Sequence, residues 1–212
     1  MEITKISPQT KNPERVNLFV DGKFHRGLDR LVAIKLGLKP GLTLTPKLLT
    51  ELERSQSHNT AWEYALLLLR YGPRSIAQMH QRLSRKFTPG ATTEVIKRLK
   101  EAGLLDDNLA AEQLATSVAN GRRSRRQIES KLLQRGFSRE VAKVNLAKLD
   151  PQLEEQAALE LARRRFVKLT GRPWREQFQN IAAYLSRRGF NYNVIARTVR
   201  LERLSSDAEQ PT

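Results

Sequence analysis

The chain has 212 residues with no cysteine, and its 38 lysines and arginines against 22 aspartates and glutamates give a formal net charge of +16. The lack of cysteine excludes disulfides, thiolate metal sites and a cysteine nucleophile, and it favours a reducing, cytoplasmic location. The first 15 residues contain no apolar segment and the longest aliphatic run, residues 65–69, is too short to cross a bilayer, so we expect neither secretion nor a membrane span.

The positive charge is spread evenly along the chain. Residues 1–56, 57–106, 107–150 and 151–212 each carry a net charge of +4. The charge therefore belongs to the folded body and not to a basic tail, which predicts a polyanionic partner. A role in solubility alone is the alternative, although a small domain needs a net charge of only about 2 to 8 for that purpose.

Residues 1–56 predict a small α+β unit. Polar and apolar residues alternate over 15–20, Asp21-Gly22 is a strong hairpin turn signal, and a return strand is expected over 23–28. A short helix is expected over residues 28–36. The polar stretch 51–60 predicts a linker or a helix end after this unit.

From residue 57 onward the pattern is helical and falls into three triplets, which predicts a mainly α fold of tandem three-helix units in an elongated or curved array. The boundaries are expected at 57–105, 106–150 and 151–204, with a disordered tail over 205–212. The nine predicted helices cover residues 61–71, 75–86, 92–102, 108–119, 124–135, 138–149, 152–169, 174–188 and 191–202.

The middle helices of the triplets share a pattern. Ser75 is followed by Gln78, and Ser124 by Gln127, in the spacing of a capping box, where the hydroxyl and the amide each satisfy a free backbone amide. An apolar stripe then follows in each copy; the third copy keeps the stripe but begins with Pro173. The stripe residues are Met79 and Leu83, Ile128 and Leu132, and Ile181 and Leu185.

The ends of the middle helices also repeat. Gly136-Phe137 matches Gly189-Phe190, whereas the first copy has Phe87 without a glycine. Glycine at this place permits a left-handed helix end, and the phenylalanine is expected to fold back onto the core. The alternative is that the segments look alike only because all amphipathic helices do.

We find little that predicts catalysis, a metal or a cofactor. His25, His58 and His80 are isolated, and phosphate-binding loops and nucleophile elbows are absent from the sequence. The adjacent pair Asp106-Asp107 could hold Mg²⁺, but acidic residues at the start of a helix are more often caps. We therefore expect a protein that is not an enzyme.

The basic clusters are the candidate binding residues. Four arginines between residues 122 and 126 lie at the predicted start of a helix, where free amides already favour anions. Arginines near helix ends could instead favour the helix dipole or be solvated. The candidate nucleic-acid contacts are Arg122, Arg123, Arg125, Arg126, Lys131, Arg135, Arg163, Arg164, Arg165, Lys168, Arg187 and Arg188.

In the order and spacing of three groups of residues the chain resembles the RecX family, bacterial regulators of the RecA recombinase. The groups are Ala65-Leu66 with Leu69-Arg70 and Arg74-Ser75, then Leu99 with Gly103-Leu104-Leu105-Asp106-Asp107, then Ile128 with Leu132 and Arg135-Gly136-Phe137. The resemblance implies a protein that binds in the groove of the RecA filament and modulates it, most commonly by inhibiting its ATPase, coprotease and strand-exchange activities. We expect a monomer without a cofactor. The implied partners are the RecA filament and single- and double-stranded DNA.

Two other classes of protein stay open from the sequence. Three short helices with a basic one also outline a helix-turn-helix protein that acts on duplex DNA, although here the arginines are spread over several helices. A nuclease using Asp106 and Asp107 with Mg²⁺ is the other class.

Overall fold

In a computed structural model of the protein, residues 1–208 are described, with side chains described through Leu201. Within this part the chain forms three strands and ten helices, so the predicted mainly α fold with a small α+β unit at its N-terminus is confirmed. The chain packs as two compact units. The first comprises Met1–Gly72 and Met79–Leu104, and the second comprises Pro73–Gln78 and the residues from Leu105 onward.

The N-terminal sheet is antiparallel, in the order β1 (Ile3–Pro8), β2 (Arg15–Val20) and β3 (Lys23–Asp29). The predicted hairpin is confirmed, because Asp21 and Gly22 both have positive φ, 49° and 76°, as a type I′ turn requires. Strand β1 was not predicted. Its pairing with β2 shifts register between Ile3 and Lys5, so its apolar residues do not alternate regularly.

After the sheet come α1 (Arg30–Lys35) and α2 (Pro46–Arg70). The prediction of a linker over residues 51–60 is wrong, and the boundary expected at residue 56 falls inside α2. No glycine or proline follows Pro46 before Gly72, so nothing interrupts the helix. The polar residues make contacts instead: Asp29 donates its backbone amide to Gln56 Oε1 at 2.9 Å, and Leu52 is fully buried in the core of the sheet unit.

The remaining helices occur at the places and in the order predicted for them. They are α3 (Ile76–Ser84), α4 (Pro89–Glu101), α5 (Asp107–Ala119), α6 (Arg125–Gln134), α7 (Arg139–Lys148), α8 (Pro151–Val167), α9 (Trp174–Arg187) and α10 (Tyr192–Ala208). Helix α10 continues four residues into the tail that we predicted to be disordered, because neither glycine nor proline occurs between Asn191 and Pro211. Residues 209–212 of that tail lie outside the described residues.

The predicted apolar stripes are the cores of the triplets. Each of the three middle helices buries its two stripe residues almost completely. Phe137 and Phe190 are also buried, and Gly136 and Gly189 have φ of 78° and 81°, as expected for left-handed helix ends. In the second triplet the stripe packs on alanines of α5, and in the third on alanines of α8.

Two equivalent joints hold the second unit together. At the start of α3, Ser75 Oγ donates to the backbone oxygen of Arg135 at 2.6 Å, and the Ile76 amide donates to Asp107 at 2.7 Å. The start of α6 repeats this arrangement one triplet later. There Ser124 Oγ donates to the backbone oxygen of Arg188 at 2.7 Å, and the Arg125 amide donates to Glu154 at 2.9 Å.

The joints give a second reason, besides the left-handed backbone, why glycine occurs at positions 136 and 189. A Cβ atom at Gly136 would lie 3.1 Å from Ser75 Oγ, and one at Gly189 would lie 3.0 Å from Ser124 Oγ. Glycine is therefore required for close approach as well as for φ. The first triplet has no triplet before it whose serine needs this space, which accounts for the absence of glycine before Phe87.

The capping boxes form only in part. Ser75 Oγ accepts from the Gln78 amide at 3.1 Å, and Ser124 Oγ accepts from the Gln127 amide at 3.3 Å. The reciprocal bond was predicted but is not formed, since the buried Oε1 atoms of both glutamines lack a partner among the described residues. The serine hydroxyls therefore cap their own helices and join the next triplet at the same time.

Candidate nucleic-acid interface

Two of the predicted arginine clusters meet at one glutamate of α8. Arg122, in the loop before α6 with φ of 58°, pairs through Nε with Glu160. Glu160 also accepts from Arg164 Nη2 at 2.9 Å, and the side chains of Arg122 and Arg164 are 46% and 61% exposed. The loop before α6 and the arginine tract of α8 are thus brought together, which their separation in sequence did not reveal.

Glu160 is held in its ionised form. The hydrogen bond from Arg122 lowers the pKa of Glu160, and the charges of Arg122 and Arg164 lower it further. One carboxylate therefore neutralises part of the charge of two arginines. A polyanion that binds here competes with Glu160 for both of them.

A second meeting point is the ring of Tyr184 on α9. The guanidinium of Arg188 lies 4.9 Å from the ring centroid and that of Arg165 lies 5.7 Å from it. Arg165 also donates to Asn180 Oδ1 at 3.3 Å. Stacking on an aromatic ring fixes the plane of a guanidinium group while leaving its charge unneutralised, so both arginines are held in place as cations.

The joint at Ser124 connects these two places. Its hydroxyl bonds to the backbone of Arg188, and a Cβ atom at Gly189 would lie 3.3 Å from Cβ of Arg126. We use the name arginine cluster for the residues connected through Glu160, Tyr184 and this joint, together with the exposed Arg123 beside them. The arginine cluster consists of Arg122, Arg123, Arg126, Arg164, Arg165 and Arg188.

Arg125 differs from the other predicted nucleic-acid contacts, because its guanidinium group makes several contacts within the protein. Its Nη1 and Nη2 donate to the backbone oxygens of Leu146 and Leu149 at 3.0 and 2.8 Å. Its Nε lies 3.6 Å from Glu154, a buried carboxylate. The last carbonyls of α7 need donors and a buried carboxylate needs a cation, so Arg125 is an internal structural residue.

The other predicted residues lie apart from the arginine cluster or at its edge. Lys131 lies in the last turn of α6, about 9 Å along the helix from Arg125, and Arg135 is the C-cap residue of α6 at the Ser75 joint, about 15 Å from Arg125. Arg163 and Lys168 are exposed near the end of α8, and Arg187 is exposed at the end of α9.

The acidic pair is occupied by backbone amides. Asp106 accepts from the amides of Asn108 and Leu109 at 2.7 and 3.2 Å, so its predicted role as a helix cap is confirmed. Asp107 accepts from Ile76 in the first joint, a role that the sequence did not reveal. Across the described residues we find no group of three or more residues that could hold a metal ion. The same part of the chain has no helix of the length and apolarity that a bilayer requires.

Comparison with known proteins identifies the family. Three family models match the chain. The model described as "Regulatory protein RecX N-terminal domain" matches residues 1–45, the one described as "RecX, first three-helix domain" matches residues 61–99, and the one described as "RecX, third three-helix domain" matches residues 153–199. A protein of Thermobifida fusca strain YX named "Regulatory protein RecX" is 34% identical over 139 residues, which cover 65% of this chain and 75% of that protein. The chain belongs to the RecX family.

Other RecX proteins match over nearly the whole length. A "Regulatory protein RecX" of Clostridioides difficile strain 630 is 27% identical over 198 residues, 93% of each chain. A crystal structure of regulatory protein RecX superposes with a TM-score of 0.74 at 23% identity and covers 91% of this chain and 96% of its own. The RecX fold is therefore common to both structures.

Proposed function

We propose that this RecX-family protein is a non-catalytic regulator that binds the groove of the RecA–DNA filament and inhibits its ATPase, coprotease and strand-exchange activities. The observation that carries the proposal is the arginine cluster, in which three tracts distant in sequence are connected by Glu160, Tyr184 and the Ser124 joint. The regulatory names of its relatives support the same role. In this proposal it acts in the cytoplasm as a monomer, without a cofactor.

The arginine cluster suits phosphate better than it suits bases. Arginine presents a planar fork of donors that matches phosphate oxygens, and Arg123 and Arg164 are exposed for such contacts. An arginine can contact phosphates without entering a groove of the DNA duplex. Binding through phosphates is insensitive to sequence and weakens steeply as salt displaces it.

Sedimentation with RecA filaments tests the proposal. The protein is centrifuged with RecA assembled on single-stranded DNA over a series of salt concentrations, and a parallel series contains the same DNA without RecA. We expect co-sedimentation with the filament that decreases with salt, and weaker recovery with DNA alone. Equal recovery with and without RecA would instead favour direct DNA binding, and no recovery with the filament would refute the proposal.

Replacing Glu160 with glutamine is expected to tighten binding to the filament. The substitution removes the carboxylate that occupies Arg122 and Arg164, so both become available to phosphate. We expect affinity to rise roughly three- to tenfold at low salt. The slope of log affinity against log salt concentration should become steeper by the amount expected for about one additional phosphate contact. A salt titration of filament binding by fluorescence anisotropy measures both.

The matched control is Glu112→Gln. Glu112 is similarly exposed and pairs with Lys148, which is not a member of the arginine cluster. Glu112→Gln changes the net charge of the protein by the same amount as Glu160→Gln. If both variants tightened binding equally, total charge and not release of the two arginines would be the cause.

A further inference from the structure

The third triplet carries an open groove between α9 and α10 that the proposed function does not use. Its volume is about 670 Å³. Alanines 182, 183 and 196 contribute small side chains to its lining, and aromatic rings stand beside them. The aromatic residues that line it are Trp174, Phe178, Phe190 and Tyr192.

The rings form a partly exposed series. Trp174 lies with its ring centroid 6.4 Å from that of Phe166 and 6.5 Å from that of Phe178. Phe178 is 41% exposed and Tyr192 is 82% exposed. Trp174 is thus supported from the core side by Phe166, while Phe178 and Tyr192 present ring surface to solvent.

The fold does not require this groove. Aligning the joints of the second and third triplets places Ala182 at the position of Glu129 and Ala196 at the position of Lys143. The second triplet has charged side chains at these two places and still folds in the same way. Ala182 packs against the core of the third triplet, and together with Ala196 it leaves an apolar floor where the second triplet carries charged side chains.

The charge of the groove indicates what occupies it. Among the described residues that line it, Arg200 is the one charged group and no carboxylate is present. An apolar slot with aromatic rings and a cationic edge fits a planar aromatic ligand that carries negative charge. Unpaired nucleobases on a phosphate backbone have this chemistry, and aromatic side chains bind single strands by stacking.

We propose that the groove between α9 and α10 binds bases of single-stranded nucleic acid by stacking on Trp174, Phe178 and Tyr192, with Arg200 near the phosphates. This contact needs no RecA, so its test is separate from that of the filament. Because stacking persists where phosphate contacts are screened, base binding here is less sensitive to salt than binding by the arginine cluster.

The chain supplies its own probe. It has two tryptophans, and Trp62→Phe leaves Trp174 as the single fluorophore. The Trp62→Phe protein is titrated with a dT oligonucleotide at high salt, and with an abasic oligonucleotide of the same length. We expect dT to quench Trp174, and the abasic strand to bind at least about tenfold more weakly.

Variants of the groove complete the test. Phe178→Ala and Tyr192→Ala should each weaken dT binding by about tenfold, and Ala183→Leu should weaken it by filling the groove at an exposed position. Tyr71→Ala, in the first unit and equally exposed, is the control and should have no effect. Circular dichroism verifies that each variant is folded.

Three results would overturn the proposal. The first is equal binding of the dT and abasic strands, which would mean phosphate contact only. The second is an unchanged Trp174 signal at saturating dT. The third is a loss of RecA-filament binding by the groove variants while dT binding is unchanged, which would mean that a protein occupies the groove.

Discussion

Reversing Arg123, Arg126 and Arg164 to glutamate is expected to weaken binding to the RecA–DNA filament by at least about 100-fold. Each reversal removes an attraction to phosphate and adds a repulsion, and each pair of charges in contact is worth about 1 kcal/mol even in water. The slope of log affinity against log salt concentration should also become shallower by the amount expected for the loss of about three phosphate contacts. Anisotropy titrations at several salt concentrations measure the affinity and the slope. Arg125 is left unchanged because it is an internal structural residue.

The control has the same change in net charge. Lys11, Lys23 and Lys39 are exposed in the N-terminal unit, and their reversal to glutamate changes the total charge equally. We expect this variant to lose little affinity. If the two triple variants bound equally, the attraction would come from net charge and not from the arginine cluster.

Gly189→Ala is expected to lower the free energy of unfolding by about 3 kcal/mol. A residue with a Cβ atom costs about 1 kcal/mol at φ of 81°, and the new atom would lie 3.0 Å from Ser124 Oγ and 3.3 Å from Arg126 Cβ. Moving Ser124 away weakens its bond to the backbone of Arg188, worth about 1 kcal/mol. A protein of this size should melt roughly 6 to 12 °C lower, which thermal unfolding by circular dichroism detects.

Gly171 separates the two parts of this cost. It has φ of 85°, but no atom lies within 4 Å of the position that a Cβ would take. Gly171→Ala should therefore show the backbone cost alone, about 1 kcal/mol. Equal losses at Gly171 and Gly189 would contradict the account of the joint.

The features that local sequence determines were predicted well. The hairpin turn depends on Asp21 and Gly22 alone, and the ends of the middle helices depend on glycine and the next phenylalanine. The apolar stripes follow from helical periodicity. Helix α2 and strand β1 were not predicted correctly. Contacts of Gln56 with the sheet unit support α2 as one continuous helix through a polar stretch. A shift of register in β1 hides its strand pattern in the sequence.

The candidate site was predicted less completely because it depends on distant residues. Four arginines between residues 122 and 126 look equivalent in sequence, and only the positions of Glu154 and the end of α7 make Arg125 internal. Glu160 and Tyr184 were not singled out for the same reason, and Asp107 was considered only as a helix cap or a Mg²⁺ ligand and not as part of a joint. One signal was present: each serine that begins a middle helix is matched by a glycine one triplet later, as the joints require.

Site-specific photo-crosslinking is the most direct test of contact between the arginine cluster and the filament. Because the chain has no cysteine, Arg123→Cys and Lys23→Cys each give one position for a photoreactive label. A label at position 123 is predicted to crosslink to RecA or DNA when filaments are present, and a label at position 23 is not. Crosslinking from position 23 with none from position 123 would contradict the account.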